Sequence, residues 1–436
     1  MNDREKKKIV FYTLGCKLNF TETSALSGSF PEDRFERVPA SSKADIYIIN
    51  TCTVTEAADR KCRQAITKFI RKSPGAFIAV VGCYAQMRPL EIAAIPGVDL
   101  VLGTAEKFDV ARFIENHEKT KHPEIHSCEL SDKTGFVNSL SAGDRTRAFL
   151  KVQDGCDYRC SYCTVALARG GSRNPPVSTL VGEAKEIAAK GIKEIVLTGV
   201  NIGDFGKSTG ETFTTLLKEL TKVEGIERYR ISSVEPNLLT DEIIELCTEN
   251  RKLLPHFHIP LQSGSDRILA LMGRRYKREL FAGRVIKIRE MIPMAGIGAD
   301  VIVGFPGETE KDFSETLSFL EEMPLSYLHV FTWSERPGTR AASMSGKISH
   351  KEKEKRSKIL IDLSHRKHKD FLLRNSGKNA EVLFEKKKVN GMISGYTGNY
   401  IRVEHPWNPS LPGKIKEVRL KEPVGDEIMS IDIIEF

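Results

Sequence analysis

The stretch AFLKVQDGCDYRCSYC, residues 148–163, joins an apolar strand to three closely spaced cysteines. Cys156, Cys160 and Cys163 form a C-x3-C-x2-C array. A structural zinc site uses four protein ligands, commonly from a second paired motif, and no such motif follows this one. Three thiolates on a four-iron cluster leave one iron free to bind a small molecule. The array therefore favours an open iron–sulfur site over a zinc site or cysteines without a shared role.

Strand-like and helical segments alternate from about residue 147 to about residue 335. The predicted strands are AFLKVQDG, EIVLTGVN, RYRISSVE, HFHIPLQS, GADVIVG and YLHVFTWS. Six strand–helix units in fewer than two hundred residues predict an incomplete or full parallel barrel and not a flat sheet. Active sites of such barrels lie at the carboxyl ends of the strands, and the cysteine array begins at that end of the first strand.

Three further cysteines each follow an apolar strand in the first hundred residues: Cys16 after FYTLG, Cys52 after YIINT and Cys83 after AVVG. Buried β-branched strands that alternate with helices predict a parallel α/β sheet, in which these strand ends lie side by side. The three thiols would then converge on a second metal site, again one ligand short. The alternative is three small buried cysteines that cap strands, because free cysteine is a common core residue.

The other three cysteines favour structural roles. Cys62 and Cys247 fall at core spacing on predicted helices, and Cys128 falls in a segment without periodicity. That segment, residues 116–145, predicts a linker between the two α/β units.

The last sixty residues alternate short strands with glycine turns and predict a small β-barrel. Lysine and arginine concentrate just before and within it, at 351–370 and 384–391. These runs fit either a solvated helix face or contact with a polyanion. Tyr396 and Tyr400 lie among basic residues, where packing in the barrel core and stacking on RNA are both open.

Length and composition bound the class of protein. A chain of 436 residues exceeds the size of one hydrophobic core, so two or three domains are expected. Hydrophobic residues make up 40% and charged residues 28%, as in ordinary globular proteins. Neither a signal peptide nor a stretch of membrane-spanning length is evident, which predicts a cytoplasmic protein with reduced thiols. The net charge of +8 fits a polyanionic partner without requiring one.

The C-x3-C-x-aromatic-C spacing, with Tyr162 as the aromatic residue, resembles the signature of the radical S-adenosylmethionine (SAM) enzymes. The resemblance implies that the open iron chelates the amino and carboxylate groups of SAM. Reduction would then cleave SAM to a 5′-deoxyadenosyl radical that abstracts hydrogen from the substrate. Tyr162 would lie by the adenine, and VIVGFPGE (301–308) would line the site. Further strand-end residues implied to contact SAM or substrate are Thr198, Gly199, Asn201, Ser233 and Gln262.

Two open cluster sites followed by a small barrel resemble the methylthiotransferases over essentially the whole chain. The resemblance implies an α/β protein with a Rossmann-like parallel domain at 1–135 and a partial (β/α)6 TIM-type radical-SAM barrel at 142–372. At 375–436 it implies a small antiparallel, OB-like β-barrel, the RNA-binding TRAM domain. The implied cofactors are SAM and two [4Fe–4S] clusters, which would carry the chemistry without a separately assigned catalytic side chain. The implied cluster ligands are Cys16, Cys52, Cys83, Cys156, Cys160 and Cys163.

Four segments look most like the MtaB branch of that family: GCKLN (15–19), HIPLQSGSDRILALM (258–272), GADVIVGFPGETEKDF (298–313) and ERPGTRA (335–341). Members of the branch add a methylthio group to C2 of N6-threonylcarbamoyladenosine (t6A) at tRNA position 37. The implied partners are the anticodon stem-loops of ANN-decoding tRNAs that carry t6A37, an electron donor such as flavodoxin or ferredoxin, and a sulfur source. The implied enzyme is monomeric and contacts no membrane.

Two other functions compete with this one. A sibling methylthiotransferase would act on isopentenyl-adenosine in tRNA or on an aspartate of a ribosomal protein; the basic C-terminal barrel and the GCKLN segment weigh against both. A non-enzymatic iron–sulfur or zinc RNA-binding protein would have no need of the SAM-lining strand ends TGVN, IPLQSG and VIVGFPGE.

Overall fold

The computed structural model describes residues 6–115, 122–130, 135–141 and 146–434. Within these ranges the chain forms three β structures in succession: an N-terminal parallel sheet, a central barrel-like wall of strands and a closed C-terminal barrel. None of the helices in the described ranges is long and apolar enough to cross a membrane.

The N-terminal sheet has six strands, all parallel, in the order β2-β1-β3-β4-β5-β6. Every residue of its IYIINT strand is buried, as expected for a parallel sheet covered on both faces. The predicted Rossmann-like sheet is therefore confirmed. Its strands are β1 (Lys7–Thr13), β2 (Phe35–Arg37), β3 (Ile46–Thr51), β4 (Phe77–Gly82), β5 (Leu100–Leu102) and β6 (Glu124–His126).

Helices cover this sheet on both sides. On one face Ile66 and Phe69 of the second helix pack on Val80, and on the other face Leu26 of the first helix lies in a core with Ile48. The second helix starts where the Thr55 hydroxyl caps the backbone. The helices are α1 (Lys17–Gly28), α2 (Glu56–Lys72), α3 (Cys83–Met87), α4 (Pro89–Ala93) and α5 (Val110–Glu115).

Six parallel strands form the central barrel wall, as predicted. They hydrogen-bond in two sheets, and an isolated bridge between Tyr229 and Leu253 lies where the two sheets meet. A short antiparallel strand borders the first sheet, and α1 lies against that edge. The strands are β7 (Leu140–Ser141), β8 (Ala148–Lys151), β9 (Glu194–Thr198), β10 (Arg228–Ile231), β11 (His256–His258), β12 (Gly296–Val303) and β13 (Tyr327–Thr332).

Side-chain alternation along these strands gives the barrel a polar interior. Tyr229 and Ile231 belong to the apolar core that the surrounding helices share. Arg228 and Arg230, the alternate residues of the same strand, therefore point into the barrel. Ordinary (β/α) barrels fill this space with branched apolar side chains, so this polar interior departs from that pattern. The surrounding helices are α6 (Val165–Arg169), α7 (Val177–Ala189), α8 (Phe213–Thr221), α9 (Asp241–Glu249), α10 (Asp266–Met272), α11 (Arg278–Met291) and α12 (Glu310–Glu322).

The helix α13 (His350–Asn375) leads from the central barrel to a closed five-stranded barrel. All strand pairs of this barrel are antiparallel except β16 with β18, which is parallel. The predicted small barrel is confirmed with that one parallel pair. Its strands are β14 (Asn379–Val389), β15 (Met392–Thr397), β16 (Arg402–Pro406), β17 (Ile415–Val424) and β18 (Ile428–Ile433).

The prediction of a plain linker at 116–145 is wrong in two places. β6 extends the N-terminal sheet, and β7 pairs with β8. Both strands are only two or three residues long, too short to carry an alternating apolar pattern that a sequence could reveal. Residues 116–121, 131–134 and 142–145 of that segment lie outside the described residues.

Candidate functional site

The central cysteine array lies on the loop that connects β8 to α6. Backbone N–H groups donate to its sulfurs, from Tyr158 to Cys156 Sγ and from Val165 to Cys163 Sγ, each at 3.4 Å. Gly155 opens the loop with a φ of +69°, and a Cβ there would lie 1.9 Å from a backbone oxygen, so only glycine fits. Two sulfurs of this loop thus accept hydrogen bonds from its own backbone, which fixes their positions.

An arginine from the far side of the barrel reaches the middle cysteine. Arg274, just after α10, donates to Cys160 Sγ at 3.2 Å and forms an ion pair with Glu235, which follows β10. Two later strand–helix units therefore fix the position of this thiol.

The three N-terminal cysteines meet at the carboxyl edge of their sheet, as predicted. Cys16 precedes α1, Cys52 follows β3 and Cys83 begins α3. A Cβ on Gly15 would lie 2.5 Å from the Cys52 Cβ, so the backbone before Cys16 rests directly on Cys52. Cys16 Sγ lies 3.8 Å from Asn19 Oδ1, and the Asn19 amide donates to the Thr51 carbonyl at 3.0 Å.

Within each triad the thiols are close enough to affect one another's ionisation. Burial, reinforced by Cys83 and Cys16, raises the pKa of Cys52 to about 12. Burial and the nearby Cys160 raise the pKa of Cys163 to about 11. Neutral thiols at this density become metal ligands only by losing protons, so metal binding here would release them.

The spacing of the thiols distinguishes a site for an iron–sulfur cluster from a site for a single zinc ion. Among the described residues, neither triad forms a group whose ligand atoms all lie within 4.8 Å. One tetrahedral Zn²⁺ with Zn–S bonds of about 2.3 Å would bring its sulfurs to about 3.8 Å of one another. Both triads are therefore wider than a mononuclear site and fit a polynuclear iron–sulfur cluster, whose irons spread the ligands apart.

A buried charge layer, which sequence analysis missed, separates the two triads. Glu22 receives two hydrogen bonds from Arg169, at 2.9 and 3.0 Å, and an ion pair from Lys107 at 2.6 Å. Asp154 pairs with Lys151 at 2.8 Å and with Arg169 at 3.0 Å. These five residues are at most 3% exposed. Arg173 also pairs with Asp154, at 3.1 Å, so four cations share two carboxylates.

The excess positive charge of this layer faces the N-terminal triad. The Arg169, Lys107 and Lys151 charges overcome burial and hold the pKa of Glu22 well below its usual range. Burial raises the pKa of Cys83, and the Arg169 and Lys107 charges oppose that rise. Because uncompensated buried charge is costly, the layer fits an anionic group, such as a thiolate-bound cluster, beside Cys83.

The residues predicted to contact SAM lie at the strand ends around the central loop. Thr198 Oγ1 and both amide atoms of Asn201 are buried without a hydrogen-bond partner in the described part of the chain. A Cβ on Gly199 would lie 2.9 Å from the Gln153 carbonyl oxygen. Buried polar atoms are normally satisfied, so these three strand-end groups fit a polar ligand that supplies their bonds.

The other three predicted contacts are held by the protein itself. Ser233 Oγ lies 2.5 Å from His258 Nδ1. Gln262 adopts a φ of +71°, which is uncommon for a non-glycine residue and marks a constrained position. The Tyr162 ring lies edge-on to Phe305, with centroids 6.3 Å apart, in a small apolar cluster under the cysteine loop.

Residues of all three units meet around Arg230 inside the central barrel, and we call this place the chamber. Arg230 donates to the Thr397 and Gly398 carbonyls at 3.2 and 3.0 Å, so the β15–β16 turn of the C-terminal barrel enters the central one. Tyr400 of that turn packs on His256 at 4.6 Å and under the Arg230 guanidinium at 4.7 Å. Tyr400 has a φ of +73°, which costs a bulky side chain energy and which its packing maintains.

Lys17, next to Cys16, faces the same chamber. Burial lowers the pKa of its ammonium, and the charges of Arg230 and Arg147 lower it further. Its side chain is solvent-accessible. The described residues place no carboxylate in ion-pair contact with Lys17. In the described part of the chain, the chamber thus contains a cation without an ion-pair partner beside Cys16.

Two histidines and an aspartate lie on the chamber wall. Asp300 Oδ1 is 3.1 Å from His258 Nε2 and 3.3 Å from His329 Nδ1. The ligand atoms of these three residues lie within 4.8 Å, a spacing that a divalent cation could use. The cationic surroundings of Lys17 and Arg230 disfavour such an ion. The arrangement instead orients both imidazoles through a shared carboxylate.

The remaining predictions for cysteines and tyrosines can also be scored. Cys62 and Cys247 are buried, as expected for core residues, and Cys128 is exposed. Tyr396 and Tyr400 stack on each other at 5.0 Å, outside the apolar core of the small barrel. The core alternative for these two tyrosines is therefore wrong, and RNA stacking stays a prediction.

Comparison with protein families gives two matches. Residues 8–103 match the Uncharacterized protein family UPF0004, and residues 150–320 match the Radical SAM superfamily. The first range contains Cys16, Cys52 and Cys83, and the second begins just before the C-x3-C-x2-C array.

Curated relatives match nearly the full chain. A threonylcarbamoyladenosine tRNA methylthiotransferase MtaB of Bacillus subtilis is 40% identical over 421 residues, covering 94% of this chain and 93% of the relative. One of the same name from Thermotoga maritima is 36% identical and covers 98% of both chains. A tRNA-2-methylthio-N(6)-dimethylallyladenosine synthase of Syntrophus aciditrophicus is 33% identical and covers 96% of this chain and 93% of the relative.

Among solved structures, the radical SAM methyltransferase TsrM from Kitasatospora setae, with cobalamin and a [4Fe–4S] cluster bound, has a TM-score of 0.56 at 14% identity. The alignment covers 77% of each chain. The likeness is one of fold.

Proposed function

The chain belongs to the radical SAM methylthiotransferases, and we propose that it adds a methylthio group to C2 of t6A at position 37 of tRNA. Relatives named for t6A are 34–40% identical to it, and relatives named for dimethylallyladenosine are 33–34% identical. Identity alone separates these two substrates weakly. The chemistry of the chamber supports the choice between them.

The family's cofactors are SAM and iron–sulfur clusters, and we assign one cluster to each cysteine triad. When bound, the cluster at Cys156, Cys160 and Cys163 with SAM supplies a carbon-centred radical, and the cluster at Cys16, Cys52 and Cys83 supplies sulfur. An unactivated aromatic C–H bond requires a radical, since acid–base chemistry cannot functionalise it. The chemistry also needs an electron donor, such as flavodoxin or ferredoxin, and a source that replaces the sulfur.

The observation that carries the t6A proposal is the unpaired cation in the chamber. The threonylcarbamoyl group bears a carboxylate and a hydroxyl, whereas the dimethylallyl group is a hydrocarbon. Lys17, supported by Arg230, offers a charge-assisted hydrogen bond to the carboxylate. A hydrocarbon in the same place would leave the Lys17 ammonium without this partner.

The chain's own residues then position the base between the two triads. An anticodon-loop adenine is single-stranded and can leave its neighbours at modest cost. We assign Tyr400 and His256, which pack at 4.6 Å, to the apolar side of the chamber. His329, with its Nδ1 held by Asp300, offers Nε2 to the hydroxyl of the threonyl group. Arg274 and Glu235 keep Cys160 in place during the reaction.

The test compares three anticodon stem-loops, which carry t6A, N6-dimethylallyladenosine or unmodified adenosine at position 37. The anaerobically reconstituted enzyme is supplied with SAM and dithionite, and methylthio nucleosides are measured by mass spectrometry. We expect kcat/KM for the t6A stem-loop to exceed the others by about 10-fold to 100-fold, since a charged hydrogen bond contributes about 1.5–3 kcal/mol. Equal modification of unmodified or dimethylallyl RNA would overturn the substrate assignment. Failure to cleave SAM would favour a non-enzymatic RNA-binding protein.

A further inference from the structure

The exposed side of α2 carries a row of positive charge. An open groove of about 470 Å³ runs along it. Its lining residues, which we call the α2 basic face, are Arg60, Arg63, Gln64, Thr67, Lys68 and Arg71. None of the six is acidic and none is apolar. Positions 60, 64, 67 and 71 recur at helical spacing, so they form one line about 16 Å long at 1.5 Å per residue.

The charge of this face is largely uncompensated. After Asp59, α2 contains six basic residues and no acidic one. Arg63 pairs with Glu91 at 2.8 Å. In the described part of the chain, Arg60, Lys68 and Arg71 form no ion pair. A face that only served solubility would gain from mixed charges, since like charges on neighbouring turns repel.

The other basic helix provides a contrast. α13 is longer and rich in lysine, yet it also contains four acidic residues, Glu352, Glu354, Asp362 and Asp370. Glu352 pairs with Arg356 at 3.0 Å and lies 3.9 Å from Lys355, and Glu321 lies 3.8 Å from Arg366. Its acidic residues thus neutralise part of its charge, as on an ordinary solvated helix. Within the described ranges, Arg63 is the one residue of the α2 basic face with such a neighbour, Glu91.

The α2 basic face is fixed relative to the reaction site. α2 begins four residues after Cys52, and its first turn is bound to the central barrel. Arg336 donates to Thr53 Oγ1 and pairs with Asp59, both at 2.6 Å. The Glu56 N–H donates to Ser334 Oγ at 3.1 Å. An RNA with one nucleotide in the chamber would therefore lie at a fixed distance from the α2 basic face.

We propose that the α2 basic face binds the phosphate backbone of the RNA whose modified nucleotide enters the chamber. The proposal rests on a tRNA substrate. Closely spaced cations, of which Arg63 alone pairs with an acidic residue in the described part of the chain, match a polyanion and position it without reading its sequence. An acidic protein partner is the other occupant to consider, but protein interfaces carry an apolar or aromatic core that this groove lacks.

The experiment measures RNA affinity of the reconstituted holoenzyme by fluorescence anisotropy with a labelled, unmodified anticodon stem-loop. The triple variant R60Q/K68Q/R71Q removes three charges from the α2 basic face. The matched control K185Q/K190Q/K222Q removes three exposed charges beside a groove that also contains Glu224. Iron content and melting temperature check that both variants fold.

For the α2 variant we expect at least a 10-fold weaker Kd at low salt, and a slope of log Kd against log salt that falls by about three. The control should match the wild type, and a t6A stem-loop should lose as much affinity as the unmodified one. An unchanged Kd and slope, or an equal loss in the control, would overturn the proposal. So would unchanged RNA binding with weakened binding of an acidic flavodoxin. A variant series that behaves as expected while t6A RNA is not methylthiolated would leave this surface assigned and the proposed function wrong.

Discussion

Arg169 on α6 donates to both carboxylate oxygens of Glu22 on α1, at 2.9 and 3.0 Å, across 147 residues of sequence. α1 begins directly after Cys16, and α6 follows Cys163 on the central loop. The pair therefore ties the helix that leaves one cysteine triad to the helix that leaves the other. Because both side chains are buried, the distance between the two triads is set by a contact that water does not loosen.

Replacing Glu22 by glutamine should destabilise this junction strongly. The change leaves Arg169 and Lys107 buried without their carboxylate, and breaking a buried pair in this way costs about 3–5 kcal/mol. We expect the free energy of unfolding of the anaerobic holoenzyme in urea to fall by that amount. Glu115→Gln is the control, because Glu115 pairs with Arg34 at the surface, where pairs contribute less than about 1 kcal/mol. Equal losses in the two variants would contradict the prediction.

Glu183 on α7 should make stability depend on pH. Burial, helped by the Glu186 charge, raises its pKa to about 7 from an ordinary value of 4.5. The folded chain then binds more protons than the unfolded chain between about pH 4.5 and 7, so stability falls as pH rises through that window. Glu183→Gln removes this dependence.

Melting temperatures at about pH 6 and about pH 8 test the effect of Glu183→Gln. The melting temperature of the variant minus that of the wild type should be larger at the higher pH than at the lower one. Glu224→Gln, at an exposed position, should show the same difference from wild type at both. A Glu183 variant that gains equally at both pH values would show that this carboxyl titrates in its ordinary range.

Replacing one cysteine of either triad by alanine should remove the cluster at that triad. The two replacements should stop different steps of the reaction. Cys156→Ala and Cys52→Ala are each expected to lower iron from about eight to about four per chain. Cys156→Ala should abolish SAM cleavage, whereas Cys52→Ala should retain it and stop sulfur insertion. Iron analysis and mass spectrometry of 5′-deoxyadenosine and the methylthio nucleoside measure these outcomes. Cys128→Ala, outside both triads, serves as the control. Methylthio product from the Cys52 variant would rule out a second cluster that supplies sulfur.

The positions of the two triads were predictable because each depends on local pattern. Cys52 and Cys83 follow apolar strands of a parallel sheet, and the carboxyl ends of such strands share one edge. The spacing from Cys156 to Cys163 likewise lies within a single loop. Strands of four or more buried residues were found for the same reason, while β6 and β7 are too short to show a period.

The lining of the site could not be predicted, since it depends on contacts between units. Arg169 and Glu22 carry no common motif, and Tyr400 enters the chamber only because the C-terminal barrel docks on Arg230. Arg274 lies two residues after the segment HIPLQSGSDRILALM (258–272), yet its contact with Cys160 spans 114 residues. The partner of a buried charged residue is identified by contacts in the folded structure and not by the sequence.

Lys17→Met should weaken recognition of t6A in particular. Methionine keeps the length of the side chain but removes the charge that we assign to the substrate carboxylate. We expect KM for the t6A stem-loop to rise about 10-fold to 100-fold, because a hydrogen bond to a charged group contributes about 1.5–3 kcal/mol. The preference for t6A over unmodified RNA should shrink by the same factor. Lys8→Met, an exposed lysine of β1, is the matched control and should leave both constants unchanged. A uniform loss with all three stem-loops at unchanged preference would instead assign Lys17 to RNA phosphate or to the neighbouring Cys16, and a fall in iron content would select the latter.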